Sequence, residues 1–256
     1  MLELKDFQPF EYANLVRRGS TNDGGYLVPS DITAQLLISL GLGDDWKFEL
    51  DLVKHNQVDD FIVFDHSVTL TNLFKKMIKR YKNLKPFVFR ILVCTRYFRD
   101  FVVLKKQHIK KKITKNGSSE NFEEISLSEI FKEFVFDSKR KVILKIDIEG
   151  SEFDIIEQVT EFSNQIMLLI IEFHEILMNQ DKVKIYLELL NSKFLLIHTH
   201  ANNFGEINNF GLPNVCEFTF LNKNVHTENR KVSKLPLVEL DAPCNSGRPD
   251  IEMLFT

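Results

Sequence analysis

The densest grouping of chemistry-bearing residues is KIDIEGSEFDII, at positions 145–156 of a 256-residue chain. An apolar run at 141–146 empties into Asp147, and period-two alternation puts Asp147 and Glu149 on the same side as the chain leaves the sheet. Gly150 permits a sharp turn there. Ser151, with Glu152 and Asp154, then opens a helix in favourable electrostatics. Capping accounts for Glu152 and Asp154, but not for an Asp at the mouth of a buried strand. Further on, IIEFHE groups Glu172 with His174, and LLIHTHANNF groups His198 with His200 and Asn202. Three His residues beside acidic strand ends suit general-base work near neutral pH. The same O and N donors, in particular Asp147, Glu172 and His174, also suit a divalent ion. Base catalysis is the default reading, because no HExxH-type pattern fixes a metal.

Two more strand ends carry candidates. The first strand runs into Gly41–Leu42–Gly43–Asp44–Asp45, where glycines let the backbone approach a ligand. A dinucleotide fingerprint needs a third glycine three residues after the second. That position is Trp46, so the loop suits a ligand without a pyrophosphate. The second strand ends FIVFDHS and places Asp65 at its carboxyl end, 22 residues after Gly43. A carboxylate there can accept both hydroxyls of a ribose, or it can cap the following helix.

The elements that must position these residues read as alternating strands and helices. Apolar runs rich in β-branched and aromatic residues lie at 35–40, 61–64, 87–94, 141–146, 166–173, 194–198 and 215–221. Near-continuous apolarity in the first five is the pattern of strands covered on both faces. Helical spacing follows the second run (Leu73, Phe74, Met77, Ile78, Tyr81) and the fourth (Phe153, Ile155, Ile156, Val159, Phe162). This alternation predicts an α/β, doubly wound parallel sheet. The last two runs, joined by an Asn-rich connection, are expected to form an antiparallel hairpin at its edge. Residues 1–34 form a turn-rich entry containing Asn22–Asp23–Gly24–Gly25, and residues 231–256 a wrapping tail, in one domain spanning 1–256. The Lys-rich stretch within 96–124 reads as a solvated face, or as a patch that attracts an anionic substrate.

Composition sets the outer bounds. The chain has 33 Lys+Arg against 36 Asp+Glu, a net charge of −3, and 44% hydrophobic residues. Near-neutrality and the lack of an aromatic platform with basic flanks argue against a nucleic-acid partner. No run approaches 18 uninterrupted apolar residues, and MLELKDFQPFEY lacks a signal-peptide layout, so a cytoplasmic protein without membrane insertion is expected. Cys94, Cys216 and Cys244 are scattered and odd in number, which implies neither a disulfide framework nor a Cys zinc site. The 23 Phe residues fall largely on strands and apolar helix faces and read as core filler.

GLGDDWKFE, FDH, SLSEIF and above all KIDIEGSEFDII resemble the FkbM-type S-adenosylmethionine-dependent methyltransferases. NDGGYLVP and HTHANNF further resemble a bacterial branch associated with surface-polysaccharide gene clusters. The resemblance covers residues 17–221. It implies a class I methyltransferase (Rossmann-like) sheet of seven strands, the last antiparallel, with S-adenosylmethionine as cofactor. By the same resemblance, Gly41, Gly43 and Asp44 line the methionine end of that cofactor, and Asp65 holds the ribose with His66 beside it. Asp147 and Glu149 then face the transferred methyl, while Gly24, Gly25 and Tyr26 close the cofactor pocket. The loop in which an adenine contact is often found is CTRYF here, which departs from the pattern. The implied acceptor is a sugar or nucleotide-activated sugar destined for capsule or lipopolysaccharide, with a non-sugar group such as a phosphoramidate, or a non-catalytic binding module, as alternatives. A sugar hydroxyl needs a base; Asp147, Glu149, His174 and His200 are the candidates.

Overall fold

Six of the seven apolar runs become strands of one sheet, because each can bury side chains on both faces. The computed structural model describes residues 1–55, 57–79, 84–119, 123–137, 139–225 and 230–255. An antiparallel hairpin of β1 (Leu15–Gly19) and β2 (Gly25–Pro29) leads into β3 (Ala34–Leu40), α1 (Lys47–Lys54), β4 (Val58–Phe64), α2 (Leu70–Lys79) and α3 (Leu84–Tyr97). A π-helical turn (Phe98–Val103) precedes β5 (Gln107–Ile109), and the short β6 (Lys112–Ile113) and β7 (Glu124–Ile125) frame the approach to α4 (Leu127–Phe134). Then come β8 (Val142–Ile146), α5 (Ile156–Glu161), β9 (Ile166–Phe173), α6 (Gln180–Lys193), β10 (Phe194–Ala201), β11 (Cys216–Asn222), β12 (Lys234–Leu235) and β13 (Met253–Leu254).

The seven-stranded sheet has the order β10-β11-β9-β8-β3-β4-β5. Strand β11 is antiparallel to both neighbours and the other pairings are parallel. The expected edge hairpin is therefore β10–β11, with β11 inserted beside β9. Alternation sorts the core into two layers. Leu36, Ile38, Leu144, Ile146, Leu169, Ile171 and Phe218 face α4, α5 and α6. Leu37, Phe61, Val63, Ile143 and Ile170 face α1, α3 and the amino-terminal hairpin. Part of the Phe surplus resolves as core packing: Phe218 is fully buried, edge-on to Phe7 at 5.1 Å and to Phe173 at 5.7 Å. Phe74, Phe89, Phe98, Phe136, Phe204 and Phe210 are exposed instead.

The run 87–94, expected as the third strand, is instead the body of α3. A short apolar run cannot be told from a helix segment by periodicity alone. Here only Val93, Cys94 and Tyr97 are buried, a helical spacing, while Val88, Phe89 and Leu92 are exposed. Pro86 lies in the first turn, where its missing N–H is tolerated. The third strand in sequence order is β5, three residues inside the Lys-rich stretch, too short and too polar to announce itself. Lysines around an edge strand discourage pairing with other chains. Of the helical face expected after β4, Tyr81 lies outside the described residues.

Phe218→Ala is expected to cost about 3–5 kcal/mol, as for other fully buried Phe truncations. Urea unfolding of the two proteins checks this, and a cost below about 1 kcal/mol would show that the Phe7–Phe173–Phe218 cluster is not a packing centre.

Candidate active site

The site begins where β3, β4 and β8 end side by side. Gly41 N–H donates to the Phe64 carbonyl at 2.9 Å and Asp147 N–H to the Leu40 carbonyl at 2.9 Å. Gly41 has φ 92°, and a Cβ on it would stand 1.8 Å from the Asp147 carbonyl oxygen. Only glycine fits. Gly43 (φ 59°) has open space around its Cβ position, so it serves the turn's left-handed backbone alone.

Asp65 joins both readings given to it. Its Oδ2 accepts Leu42 N–H at 2.9 Å and Gly43 N–H at 3.3 Å. Its Oδ1 accepts Ser67 N–H and Oγ–H, each at 2.7 Å, and Val68 N–H at 3.3 Å. Burial would raise its carboxyl, but these donors outweigh burial and hold it below the usual carboxylate range. A diol at Asp65 would share the carboxylate with donors of the chain itself. His66 is exposed at the rim. His108 on β5 fixes this corner from behind, with Nε2 on the Asp65 carbonyl at 2.8 Å and Nδ1 on the Tyr97 hydroxyl at 2.7 Å.

The acidic followers of the glycines face α2 and α3. Asp44 pairs with Arg90 and, at 3.5 Å, with Lys76. Asp45 pairs with Arg96 at 3.6 Å and accepts the Ser20 hydroxyl. Trp46 donates its indole N–H to Asp100 at 2.7 Å, with the Arg96 guanidinium 5.4 Å from its ring centre. The helix misread as a strand thus supplies the cations that clamp the glycine loop.

At the end of β8, Lys145 is 4% exposed, and its Nζ lies 3.5 Å from Asp147, 3.9 Å from Glu49 and 3.3 Å from the Gly41 carbonyl. Burial pulls its ammonium pKa down, yet Asp147 and Glu49 outweigh burial and keep it charged. The Tyr26 hydroxyl donates to Asp147 Oδ2 at 3.3 Å. Beyond Asp147 the chain turns through Glu149 (φ 56°) and Gly150 (φ 100°). A left-handed Glu costs about 1–2 kcal/mol. Glu152 holds the turn: fully buried, it accepts Ile148 N–H at 3.1 Å and Gly150 N–H at 2.9 Å, and meets His174 Nδ1 at 3.0 Å. Helix capping alone therefore understated Glu152.

Two clefts open on this corner. One, of 210 Å3, lies over the ends of β3 and β4 and is lined by Gly41, Asp65, His66, Lys111, Ile113 and Asp147, among others. The other, of 310 Å3, is lined by Asp23, Glu172, His174, Asn202 and Phe204. Asp147 and Glu149 line both. Burial, reinforced by Glu217 and Asp147, pushes the Asp23 carboxyl up to about 6. Burial also lifts Glu172 well above the carboxylate range, with Asp147 and Glu217 adding to it. For His174, burial is outweighed by the Glu152 hydrogen bond and by Glu172, and its pKa rises to about 9.

These placements revise the sequence-based set. His174 is a cation at neutral pH, so it suits donating or pairing rather than taking a proton. His200 is 2% exposed and lines neither cleft; it is locked between Glu217 and Asp250. The metal-capable group at the cleft is Asp147, Glu149 and His174, whose donor atoms lie within 4.8 Å of one another. Glu172 is not in it; its Oε1 accepts from the Asn202 amide at 2.8 Å. Gly24, Gly25 and Tyr26 do not line the Asp65 cleft; Tyr26 reaches Asp147 from the hairpin. CTRYF closes α3 and opens the π-helical turn, and the loop after β5 is 110–111; Lys111 from that loop and Lys112 from β6 line the Asp65 cleft. Asp23 was hidden in a turn motif, and Lys145 in an apolar run.

Gly43→Ala is expected to cost about 1–2 kcal/mol, the left-handed penalty alone. Gly41→Ala should cost clearly more, since the new methyl meets backbone. Urea unfolding of both variants decides; equal costs would mean that the Gly41–Asp147 contact constrains nothing.

Comparisons with known proteins complete the description. No curated protein matches the sequence. Among solved structures, the Streptococcus pneumoniae protein Sp1610, a candidate tRNA (m1A22) methyltransferase, is similar over 75% of this chain at 12% identity with a TM-score of 0.38. This chain spans 65% of the length of that protein. TrmK of M. capricolum, solved with S-adenosyl-homocysteine, is similar over 83% of this chain and 71% of its own, at 12% identity and a TM-score of 0.35. Precorrin-6y C5,15-methyltransferase of Geobacter metallireducens is similar over 74% of this chain and 82% of its own, at 8% identity and a TM-score of 0.33. The methyltransferase FkbM domain matches residues 82–210, half of the sequence. The chain belongs to the methyltransferase FkbM domain family.

Proposed function

We propose that the enzyme methylates a hydroxyl of a sugar, or of a nucleotide-activated sugar, used in building capsule or lipopolysaccharide. The observation that carries this reading is the 310 Å3 cleft, whose wall of Asp23, Asp147, Glu149, Glu172, His174 and Asn202 offers hydrogen-bond partners to a hydroxyl-rich ring. A cleft for a flat apolar acceptor would present Phe, Tyr or Trp walls instead, and among the described residues Phe204 is the one such side chain lining it. The resemblance of NDGGYLVP and HTHANNF to a surface-polysaccharide branch supports the same acceptor class.

The residues of the other cleft fit the cofactor. Asp65 stands at the strand end where a ribose is held, Gly41 keeps that floor free of side chain, and His66 edges it. The sulfonium and α-ammonium of S-adenosylmethionine are cations, and Asp147 and Glu149 supply negative charge where the clefts meet. Bound there, the cofactor supplies a methyl group already activated for transfer. What remains for the chain is to align the acceptor oxygen and to remove its proton.

Asp23 is our candidate for that proton. It lines the acceptor cleft, and it is faced by Asp147 and Lys145 from β8 and by Glu217 from β11. A base acts deprotonated, so turnover rises with pH through the Asp23 ionisation, about 6. His174, charged below about 9, pairs with Glu149 at 3.6 Å and donates toward the acceptor. Lys145 and Tyr26 position Asp147.

Asp23→Asn is expected to lower turnover about 10²–10⁴-fold, the usual worth of a general base, and to remove the acidic limb of the pH profile. Full turnover in this variant would take the base assignment away. The acceptor class is tested by incubating the enzyme with methyl-labelled cofactor and a panel of nucleotide sugars and oligosaccharides, reading label transfer by mass. Labelled carbohydrate is the expected product; transfer to none of them would remove the sugar reading.

A further inference from the structure

His200 is conspicuous because it serves neither cleft. It stands opposite Glu217 in the β10–β11 register. Its Nδ1 lies 3.2 Å from Glu217 Oε2 and 3.8 Å from Cys244 Sγ. Cys244 Sγ is in turn 3.7 Å from Glu217 Oε1. One thiol, one imidazole and one carboxylate therefore converge on a point, and all three residues are buried.

The 3.2 Å nitrogen–oxygen separation is close to a tetrahedral edge and the sulfur separations of 3.7 and 3.8 Å lie just beyond one, Glu217 meeting His200 through Oε2 and Cys244 through Oε1. Bonds of about 2.0–2.1 Å to N, 2.0–2.2 Å to O and 2.3 Å to S place neighbouring donors about 3.3–3.6 Å apart at the tetrahedral angle. The far ring nitrogen is also provided for. His200 Nε2 meets both Asp250 oxygens at 3.1 Å, so a proton kept on Nε2 leaves Nδ1 as a lone-pair donor. A carboxylate behind a ligating imidazole is the usual supporting contact in zinc sites. Charge agrees: thiolate and carboxylate together balance a dication, while imidazole stays neutral. The donor mix also discriminates, since a thiolate beside an imidazole suits zinc and not magnesium or calcium.

We propose that His200, Glu217 and Cys244 bind a zinc ion. Its place is separate from the Asp147–Glu149–His174 group, which contains no sulfur and includes a Glu149 side chain that is 87% exposed. The ion ties the carboxyl-terminal segment to the sheet. It also touches the acceptor cleft indirectly, because the Cys244 carbonyl accepts Asp23 N–H at 3.3 Å and the Pro243 carbonyl accepts the Asn22 amide at 3.0 Å. The Asn203 side chain completes the strap, donating to the carbonyls of Asn245, Arg248 and Pro249 and accepting Asn245 N–H.

The test is metal binding, independent of methyl transfer. The full chain is stripped with a chelator, then titrated with cobalt(II) and, separately, with zinc. Wild type is expected to take up one ion per chain at this site, with a thiolate-to-cobalt charge-transfer band and a rise in melting temperature on zinc addition. Cys244→Ser, checked for folding by circular dichroism, should lose the band and bind zinc at least tenfold more weakly. His174→Gln should keep the band. No charge-transfer band in wild type, or zinc affinity unchanged in Cys244→Ser, would overturn the site and leave His200 as an imidazolium held between two carboxylates.

Discussion

The contact on which the rest of the site depends is the meeting of Gly41 with the Asp147 carbonyl. Parallel pairing of β3 with β8 brings the two strand ends into register, and the absent Cβ lets backbone touch backbone. That approach sets how deep the floor lies between the glycine loop and the acidic turn. Lys145 then bridges from one strand end to the other, bonding the Gly41 carbonyl while neutralising Asp147 from below. Two clefts share one wall because two strands share one seam.

Around that seam, charges are arranged so that each acidic group has a different task. Asp65 is ionised and saturated with N–H and O–H donors. Asp147 is flanked by an ammonium and a phenol. Glu152 is sealed beneath its turn, with backbone amides on one side and an imidazole on the other. Asp23 and Glu172, lacking such a set of donors, are lifted by burial and by their neighbours. Similar side chains thus diverge in proton affinity through their partners rather than their type.

The sequence made the centre of this arrangement legible and left its periphery obscure. Strands β3, β4, β8 and β9 are long and apolar on both faces, so they announced themselves along with the residues at their ends: Gly41, Asp65, Asp147, Glu172 and His174. The error at 87–94 arose because burial in α3 depends on which face meets the sheet, and apolarity alone does not encode that. The true β5 is held by its neighbour's backbone and by His108, contacts with no local signature. Asp23 and Cys244 come from a turn and a tail whose conformations are set by long-range hydrogen bonds, among them Asp23 to Cys244. His200 shows the limit of period-two reasoning, which finds the face of a strand but not what covers it.

The origin of Asp23 has an architectural consequence. The Asp65 cleft is built on the ends of β3, β4 and β8, with Lys111, Lys112 and Ile113 along one side. The Asp23 cleft borrows from the amino-terminal hairpin, whose turn is tied to the strap at Cys244. Such a division makes the two halves separable in evolution. Under the proposed assignment of the two clefts, replacing hairpin and strap would change the acceptor while leaving the cofactor's cleft in place.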